Sequence, residues 1–305
     1  MGVFIRMWGV SFATAVVVTA AVLFVSECMR GMREGELLSP QEGTRGVWAL
    51  VLLCLAISLL VSLLGCKLQA VHERRRKSVR LWQLQRPEEA FVALGSFPAE
   101  EPGEGDEVRY AVGVGPLRAL PYVVSSLCDA YGAQFNWRNI LHAHEAAADR
   151  FVMEEARDAI LIGSGAANPQ TAEVLRLISK RLELVRMDGR GIVLREPLSR
   201  VERTFAAAGG DMAGDGAAPR ADVGLVVNCR QGGRRVVILA GCSAYGTGAV
   251  ARYFCTELAE ERAWKRRRGG DYAAVVQVEF NAWPPVPTVC RLMAFYELGV
   301  SQNPT

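Results

Sequence analysis

The N-terminal part of the chain contains two long uncharged stretches, whereas the remainder has the mixed pattern of a globular domain. Met7–Ser26 and Val47–Cys66 each contain 20 residues without a charge. A helix needs about 20 apolar residues to cross a hydrocarbon core of about 30 Å. The pattern predicts a two-helix transmembrane hairpin over residues 1–66, with spans 7–26 and 47–66. Because neither span carries an ionisable residue, the hairpin reads as an anchor and not as a transport pathway.

A secretory signal peptide is the alternative interpretation of the first stretch, since Arg6 precedes the apolar run. The residues that follow the run disfavour cleavage. Glu27 stands before Cys28, and no A-x-A-like site is present. We therefore expect both spans to be retained.

The basic residues beside the spans predict the orientation of the hairpin. Residues 67–80 carry six Lys or Arg side chains, whereas the loop 28–46 carries three. Positive residues in short flanks are retained in the cytoplasm. The sequence therefore predicts a multi-pass plasma membrane protein with both termini in the cytoplasm and a short external loop.

The rest of the chain alternates short β-branched runs with helical stretches, which indicates an α/β domain over residues 108–305. Residues 67–107 are expected to form a basic stalk and a linker, because Phe97–Gly105 is rich in Pro, Gly and Glu. Residues 206–221, rich in Gly and Ala, are expected to form a flexible excursion. The predicted fold is a Rossmann-like, three-layer domain with a mainly parallel sheet.

Six strands and three helices are predicted, and the last apolar stretch, Val289–Tyr296, fits either a strand or a short helix. The strands are Val108–Val114, Ala159–Gly163, Gly191–Leu194, Val223–Cys229, Arg235–Ala240 and Ala273–Phe280, and the helices are Pro116–Tyr131, Gln170–Leu182 and Gly248–Arg262.

Charge and cysteine content narrow the classes of protein. The net charge of +3 is too small to suggest a nucleic-acid-binding protein. The eight cysteines are scattered without a C-x-x-C pair, which fits a reducing compartment. No metal site is predicted, since His142-x-His144 with Glu145 lacks the further ligands that a transition metal needs.

Three strand-to-helix joints are rich in glycine, and all three are expected at the carboxyl edge of the sheet, where open α/β folds bind ligands. A helix N-terminus there offers unpaired N–H groups to a phosphate. Tight turns without a ligand also use glycine, and Asn168 or Thr171 could simply cap a helix. The candidate ligand-binding residues are Gly113, Gly115, Gly163, Ser164, Gly165, Asn168, Thr171, Gly241, Ser243, Tyr245, Gly246 and Thr247.

The segments Asp158–Thr171, Asp222–Val227 and Val236–Gly248 together resemble a family of poorly characterised prokaryotic Rossmann-like domains. The shared pattern is a strand, a glycine-rich turn with Asn and Thr, and a later apolar strand that ends in a turn with Gly and Tyr. The resemblance implies a Rossmann-like fold of the ligand-sensing or effector type and implies no particular activity.

Other chemistry has weaker support. None of the glycine-rich joints is a complete nucleotide-binding motif, which disfavours an ATPase or an ordinary dehydrogenase. Glu154, Glu155 and Asp158 form an acidic cluster that a nucleotide-cleaving enzyme could use. Cys242 could be a nucleophile at a helix N-terminus. Trp264 with the basic run 265–268 could rest on an anionic membrane surface.

The sequence thus predicts a membrane-anchored cytoplasmic domain that binds a nucleotide-like or other phosphate-bearing ligand as a sensor or effector. Two alternatives stay open: a nucleotide-cleaving or nucleotide-transferring enzyme that uses an acidic residue, and a protein-interaction platform without a ligand. Catalytic residues, cofactor and ligand are not identified by the sequence, and a homo-oligomer is left open.

Overall fold

The structure is a computed structural model that describes residues 40–99, 110–144, 157–197, 199–207, 221–266, 270–281 and 286–299, besides the isolated Ser26 and Arg30. The chain divides into two compact units, residues 1–74 and 75–305. The first predicted span, residues 7–26, lies outside the described residues except for Ser26. Most of the predicted excursion also lies outside them, since residues 208–220 are not described.

Helix α1, Pro40–Trp82, is the one helix in the described part of the chain that is long and apolar enough to cross a membrane. It contains the second predicted span, residues 47–66. The boundary between the two compact units falls within this helix, after Arg74. A single candidate span is therefore found among the described residues.

The second unit alternates strands and helices along the chain. The described helices after α1 are α2 (Val114–Tyr131), α3 (Pro169–Leu177), α4 (Ala244–Thr256) and α5 (Arg262–Arg266). The described strands are β1 (Phe91–Leu94), β2 (Ser96–Pro98), β3 (Tyr110–Val112), β4 (Ile140–His142), β5 (Ala159–Ile162), β6 (Glu183–Asp188), β7 (Gly191–Arg195), β8 (Glu202–Ala206), β9 (Ala221–Gln231), β10 (Arg234–Gly241), β11 (Tyr272–Phe280) and β12 (Pro287–Glu297).

A seven-stranded sheet in the order β12-β11-β9-β10-β5-β1-β4 forms the centre of this unit. Strands β4, β1, β5 and β10 pair in parallel, and β10-β9, β9-β11 and β11-β12 pair antiparallel. Five of the seven strands consequently point the same way. The prediction of an α/β domain with a mainly parallel sheet is confirmed.

A tight hairpin produces the change of direction in the middle of the sheet. Gly232 and Gly233, with φ of 58° and 81°, connect β9 to β10. Two successive residues at positive φ match the twist of antiparallel strands, and glycine adopts that conformation at little steric cost. The Gly-Gly pair thus places β9 antiparallel beside β10.

Each face of the sheet has its own hydrophobic cluster, because successive side chains of a strand point to opposite faces. One face packs against α2, α4, Trp264 of α5 and the end of α1. The other face packs against α3 and the small antiparallel sheet β6-β7-β8. Helices therefore cover one face, whereas one helix and a second sheet cover the other.

Several predicted elements need correction. Strands β1 and β2 lie within residues 67–107, where the sequence predicted a stalk and linker. The predicted strand Val108–Val114 is wrong as a strand of the main sheet: Tyr110–Val112 pairs only with β2, and Val114 begins α2. Gly191–Leu194 is a strand, but it belongs to the small sheet. Val289–Tyr296 lies in a strand, β12. Short strands such as β1 and β4 carry too few residues to show a period.

The last turns of α1 belong to the core of the α/β unit. Leu81 and Trp82 are almost completely buried. The Trp82 Nε1 donates to Ser126 Oγ at 2.9 Å, and Asn228 Nδ2 donates to the Leu81 carbonyl at 2.8 Å. The helix ends at Trp82, and Gln83, with a φ of 55°, follows it. Residues 75–82 are therefore part of the domain and not a detached stalk.

The buried Arg235 guanidinium organises this end of the sheet. Its Nη1 donates to Asp271 Oδ1 at 2.8 Å and to Asn228 Oδ1 at 3.1 Å, and its Nη2 donates to Gln83 Oε1 at 2.9 Å. The side chain is only 2% exposed. A buried cation is tolerated only when charge and hydrogen bonds compensate for lost hydration. These bonds tie the end of α1 to β9, β10 and the start of β11.

We expect Arg235→Met to destabilise the folded unit by about 3–5 kcal/mol, because Asp271 and Gln83 would lose a buried partner. Arg176→Met is the matched control: Arg176 is exposed and pairs only with Glu173 among the described residues. The control should leave stability almost unchanged. Chemical denaturation of the full chain in detergent measures both. Equal effects of the two substitutions would show that the buried network contributes little.

Candidate functional site

Two of the three glycine-rich turns meet at the carboxyl edge of the parallel strands. The strands β1, β5 and β10 end side by side, at Gly95, Gly163 and Gly241. The Gly95 N–H donates to the Ile162 carbonyl at 2.7 Å, and the Gly163 N–H donates to the Leu239 carbonyl at 2.9 Å. The turns after β5 and β10 therefore lie next to each other, as expected from parallel strands.

The third turn joins them through the start of α2. The Gly113 N–H donates to the Gly95 carbonyl at 3.1 Å. A Cβ atom on Gly115 would stand 2.8 Å from the Ala244 carbonyl oxygen and 3.1 Å from Thr247 Cβ. The N-terminal turns of α2 and α4 are thus in direct contact, and all three predicted turns form one cluster.

Many glycines of this cluster allow protein segments to pack closely. A Cβ on Gly241 would lie 2.2 Å from the Thr247 nitrogen, and one on Gly246 would lie 2.0 Å from Asp222 Oδ2. A Cβ atom on Gly165 would lie 3.1 Å from the Ala172 Cβ atom. Gly163 adopts a φ of 118°, which side chains disfavour. Packing therefore requires glycine at 241 and 246, and the backbone conformation favours it at 163.

In the turn after β5, the Asn168 side chain caps the start of α3. Asn168 is buried and accepts from the N–H groups of Gln170 and Thr171 at 3.1 and 3.3 Å, while its amide donates to the Ala93 carbonyl. Pro169 occupies the first turn of α3. Thr171 is fully buried, and Ser164 supplies its carbonyl to the N–H groups of Ala167 and Asn168. The N–H groups at the start of α3 are therefore already bonded to the Asn168 side chain.

The turn after β10 is occupied by a carboxylate. Buried Asp222, at the start of β9, accepts from the Ser243 N–H at 3.0 Å, from the Ser243 hydroxyl and from its own neighbour Val223. Burial raises the pKa of Asp222, although these hydrogen bonds oppose the rise. Ser243 Oγ accepts in turn from the Gly246 N–H, and Thr247 Oγ1 bridges Gly241 and Ser243. An anion bound at the start of α4 would lie next to the Asp222 carboxyl group.

The start of α2 differs from the other two helices. Its N-cap residue is Gly113, and no side chain among the described residues caps it. Arg118, exposed on the first turns of α2, lies over the Tyr245 ring at 4.3 Å from the centroid. Phe97 and Val114 are 48% and 55% exposed, and Phe97 lies against Gly113. An open helix start, a guanidinium and exposed apolar side chains therefore occur together.

Sequence reasoning missed Asp222, Arg118, Phe97 and Gly95 as members of this edge. Gly95 and Phe97 follow a strand that was assigned to the linker. Asp222 reaches Ser243 across 21 residues of sequence, and Arg118 meets Tyr245 from another helix. Val114 and Leu117 lie three positions apart on α2, and both are exposed. This pair of apolar residues on one helix face is the local sequence pattern that could have indicated the surface.

The acidic cluster does not meet the glycine turns in the described structure. Asp158 lies at the opposite edge, before β5, where its buried carboxylate accepts from the N–H groups of Gln85, Arg86 and Arg235. These bonds give Asp158 a structural role. Glu154 and Glu155 lie outside the described residues.

The remaining candidates have other surroundings. His144 stacks on Tyr110 at 4.2 Å between ring centroids, and Glu145 is not described. In the described segments no group of three His, Cys, Asp or Glu side chains could hold a metal ion. Trp264 is buried against the sheet and is therefore not available to rest on a membrane.

No protein-family model matches this chain, and no curated protein matches it significantly. Function is therefore inferred from the geometry of the site.

We expect Cys242 to react slowly with iodoacetamide at pH 8. Burial, and then the nearby Asp222 carboxyl, raise the pKa of its thiol to about 12. Only about one thiol in ten thousand is then ionised, and the thiolate is the nucleophile. Cys128 is exposed and serves as the internal reference. Peptide mass spectrometry measures both rates, and labelling of Cys242 as fast as that of Cys128 would restore the nucleophile hypothesis.

Proposed function

We propose that this protein is anchored in a membrane by apolar helices and that its α/β domain binds a phosphate-bearing, nucleotide-like ligand at the start of α2, as a sensor or effector. The observation that carries the proposal is the open start of α2 at the edge where three glycine-rich turns meet. The other two helices at this edge are capped by Asn168 and by Ser243 with Asp222.

The electrostatics of α2 support an anion at this position. The helix has 18 residues, so its aligned peptide dipoles leave a partial positive charge at its N-terminus. The N–H groups of Val114 and Gly115 lack a carbonyl partner within the helix. The Gly113 N–H is bonded to the Gly95 carbonyl, and Pro116 has no N–H group. Gly113 permits a close approach to the backbone, and the Arg118 guanidinium adds a full positive charge one turn away. A phosphate group matches both features.

The side chains around the helix start support a ligand with an apolar part. Phe97 lies against Gly113, and Val114 and Leu117 are both more than half exposed. Tyr245 continues this surface through its contact with Arg118. Aromatic side chains stack on nucleobases and contribute about 1–3 kcal/mol for each base. A nucleotide would therefore place its phosphate on α2 and its base on the aromatic side chains.

The two alternative functions differ in what they need from this edge. An enzyme needs an available acid, and Asp222 is engaged with Ser243 and the start of α4. An interaction platform needs only the exposed Phe97, Val114 and Leu117. The ligand-binding proposal uses the open helix start as well, and it is therefore the function that accounts for most of the site.

The membrane arrangement that accompanies this proposal is a plasma membrane protein with both termini in the cytoplasm. The apolar part of α1 and the basic residues that follow it support this arrangement. A cytoplasmic position would expose the carboxyl edge to the phosphorylated metabolites of that compartment.

We expect Gly113→Asp to weaken ligand binding without loss of fold. The new carboxylate would cap α2, for which the φ of −64° and ψ of 150° at this position are suitable, and would repel phosphate. Gly113→Ala, which adds a Cβ atom without a cap or a charge, is the matched control. Thermal-shift assays of the full chain in detergent, with inorganic phosphate, adenosine and guanosine nucleotides and NAD as probes, measure the effect.

The affinity of Gly113→Asp for a stabilising probe should fall at least about tenfold below that of Gly113→Ala, because the helix start would be capped and would carry a negative charge. If none of these probes stabilises the wild-type chain, the proposal fails and the interaction platform gains support. If Gly113→Asp binds as tightly as Gly113→Ala, the site lies elsewhere.

The predicted orientation is tested by the accessibility of two natural cysteines. Cys28 lies in the predicted external loop, and Cys128 is exposed on α2 in the predicted cytoplasmic domain. In intact cells a membrane-impermeant maleimide should label Cys28 and spare Cys128, and permeabilisation should make Cys128 reactive. Labelling of Cys128 in intact cells would reverse the orientation.

A further inference from the structure

The structure brings together two basic segments that are far apart in the sequence. Lys77, near the end of α1, pairs with Glu260 at 2.5 Å, and Lys265 of α5 pairs with the same carboxylate at 2.8 Å. Hydrogen bonds from Lys265 and Lys77 lower the pKa of Glu260 to about 2. Glu260 is therefore ionised at neutral pH and holds the two lysines side by side.

The resulting surface is strongly positive, and we call it the basic face. Nearby carboxylates are already engaged: Glu257 pairs with Arg252, and Glu261 accepts from the Tyr253 hydroxyl. The exposed cations of the basic face are Arg75, Arg76, Lys77, Arg80, Arg262, Lys265 and Arg266. Seven exposed cations thus outnumber the five carboxylates near them, which are Glu73, Asp129, Glu257, Glu260 and Glu261.

The basic face is held in place by apolar anchors on its inner side. Trp264 buries its ring in the same cluster as Leu81 and Trp82, and Leu258 is completely buried. The Arg75 Nε donates to the Ala130 carbonyl at the end of α2, at 3.1 Å. The segments therefore keep their cations outward without an exposed aromatic residue, which indicates electrostatic contact and not insertion.

We propose that the basic face binds the headgroups of anionic phospholipids and so holds the α/β domain against the membrane that anchors it. This inference rests on the proposed membrane anchor. Arg75 follows Cys66, where the apolar stretch ends, by nine positions, so the chain between them can span at most about 32 Å. Each Lys or Arg that lies within a Debye length of about 10 Å from an anionic surface is attracted to it.

The four lysines of the chain allow a direct test. Lys77 and Lys265 lie on the basic face, Lys67 lies beside the apolar stretch, and Lys180 is exposed after α3, beyond the opposite face of the sheet. The full chain is placed in nanodiscs of phosphatidylcholine, with or without phosphatidylglycerol. Acetylation rates of each lysine are then measured by mass spectrometry.

In anionic nanodiscs we expect Lys77 and Lys265 to react about tenfold more slowly than in neutral ones, while Lys180 keeps its rate. High salt should remove the protection, because it screens the contact. Arg262→Glu/Arg266→Glu should also remove it, since it reverses two exposed charges and leaves both Glu260 pairs intact. Arg176→Glu/Arg190→Glu, which reverses two charges beyond the other face of the sheet, should retain the protection.

Equal rates for Lys77 and Lys265 in both nanodiscs would overturn the inference while leaving the anchor intact. Equal loss of protection in the two double variants would overturn it too, because net charge and not the basic face would then be responsible. Failure of the chain to insert into either nanodisc would instead reject the proposed anchor on which the inference rests.

Discussion

The buried ion pair of Arg235 and Asp271 is the interaction on which the arrangement of this domain depends. A guanidinium that is 2% exposed has lost its hydration, and its compensation comes from segments that are distant in sequence. Gln83 follows α1, Asn228 lies on β9, and Asp271 precedes β11. These segments must therefore assemble together, and the end of α1 becomes inseparable from the sheet.

Because of this ion pair, the two edges of the sheet differ in composition and in role. The amino edge of β5 and β10 is occupied by Arg235, Asp158 and the residues that end α1. The carboxyl edge carries the glycine-rich turns and the starts of α2, α3 and α4. Because parallel strands place their ends at opposite edges, the attachment of α1 leaves the carboxyl edge free for another role.

Capping separates three turns that look equivalent in sequence. Asn168 satisfies the start of α3, and Ser243 with Asp222 satisfies the start of α4. A helix start whose N–H groups are already bonded gains little from an anion, and a neighbouring carboxylate opposes it. Only α2, with Gly113 at its cap, keeps the property from which the ligand hypothesis was derived. The electrostatic character of this edge thus depends on side chains outside the glycine motifs.

The apolar stretch within α1, the α/β class and most of the long elements were predicted correctly from the sequence, because these features depend on local periodicity. The sequence placed β9, β10, β11 and α2 nearly correctly, and parallel pairing of β5 with β10 brought two glycine turns together as expected. It did not reveal β1 and β4, whose three or four residues show no period, or the contacts of Asp222, Arg118 and Arg235. Those contacts join residues that are distant in sequence and meet only in the folded chain. They determine which helix start stays uncapped and which charges are buried.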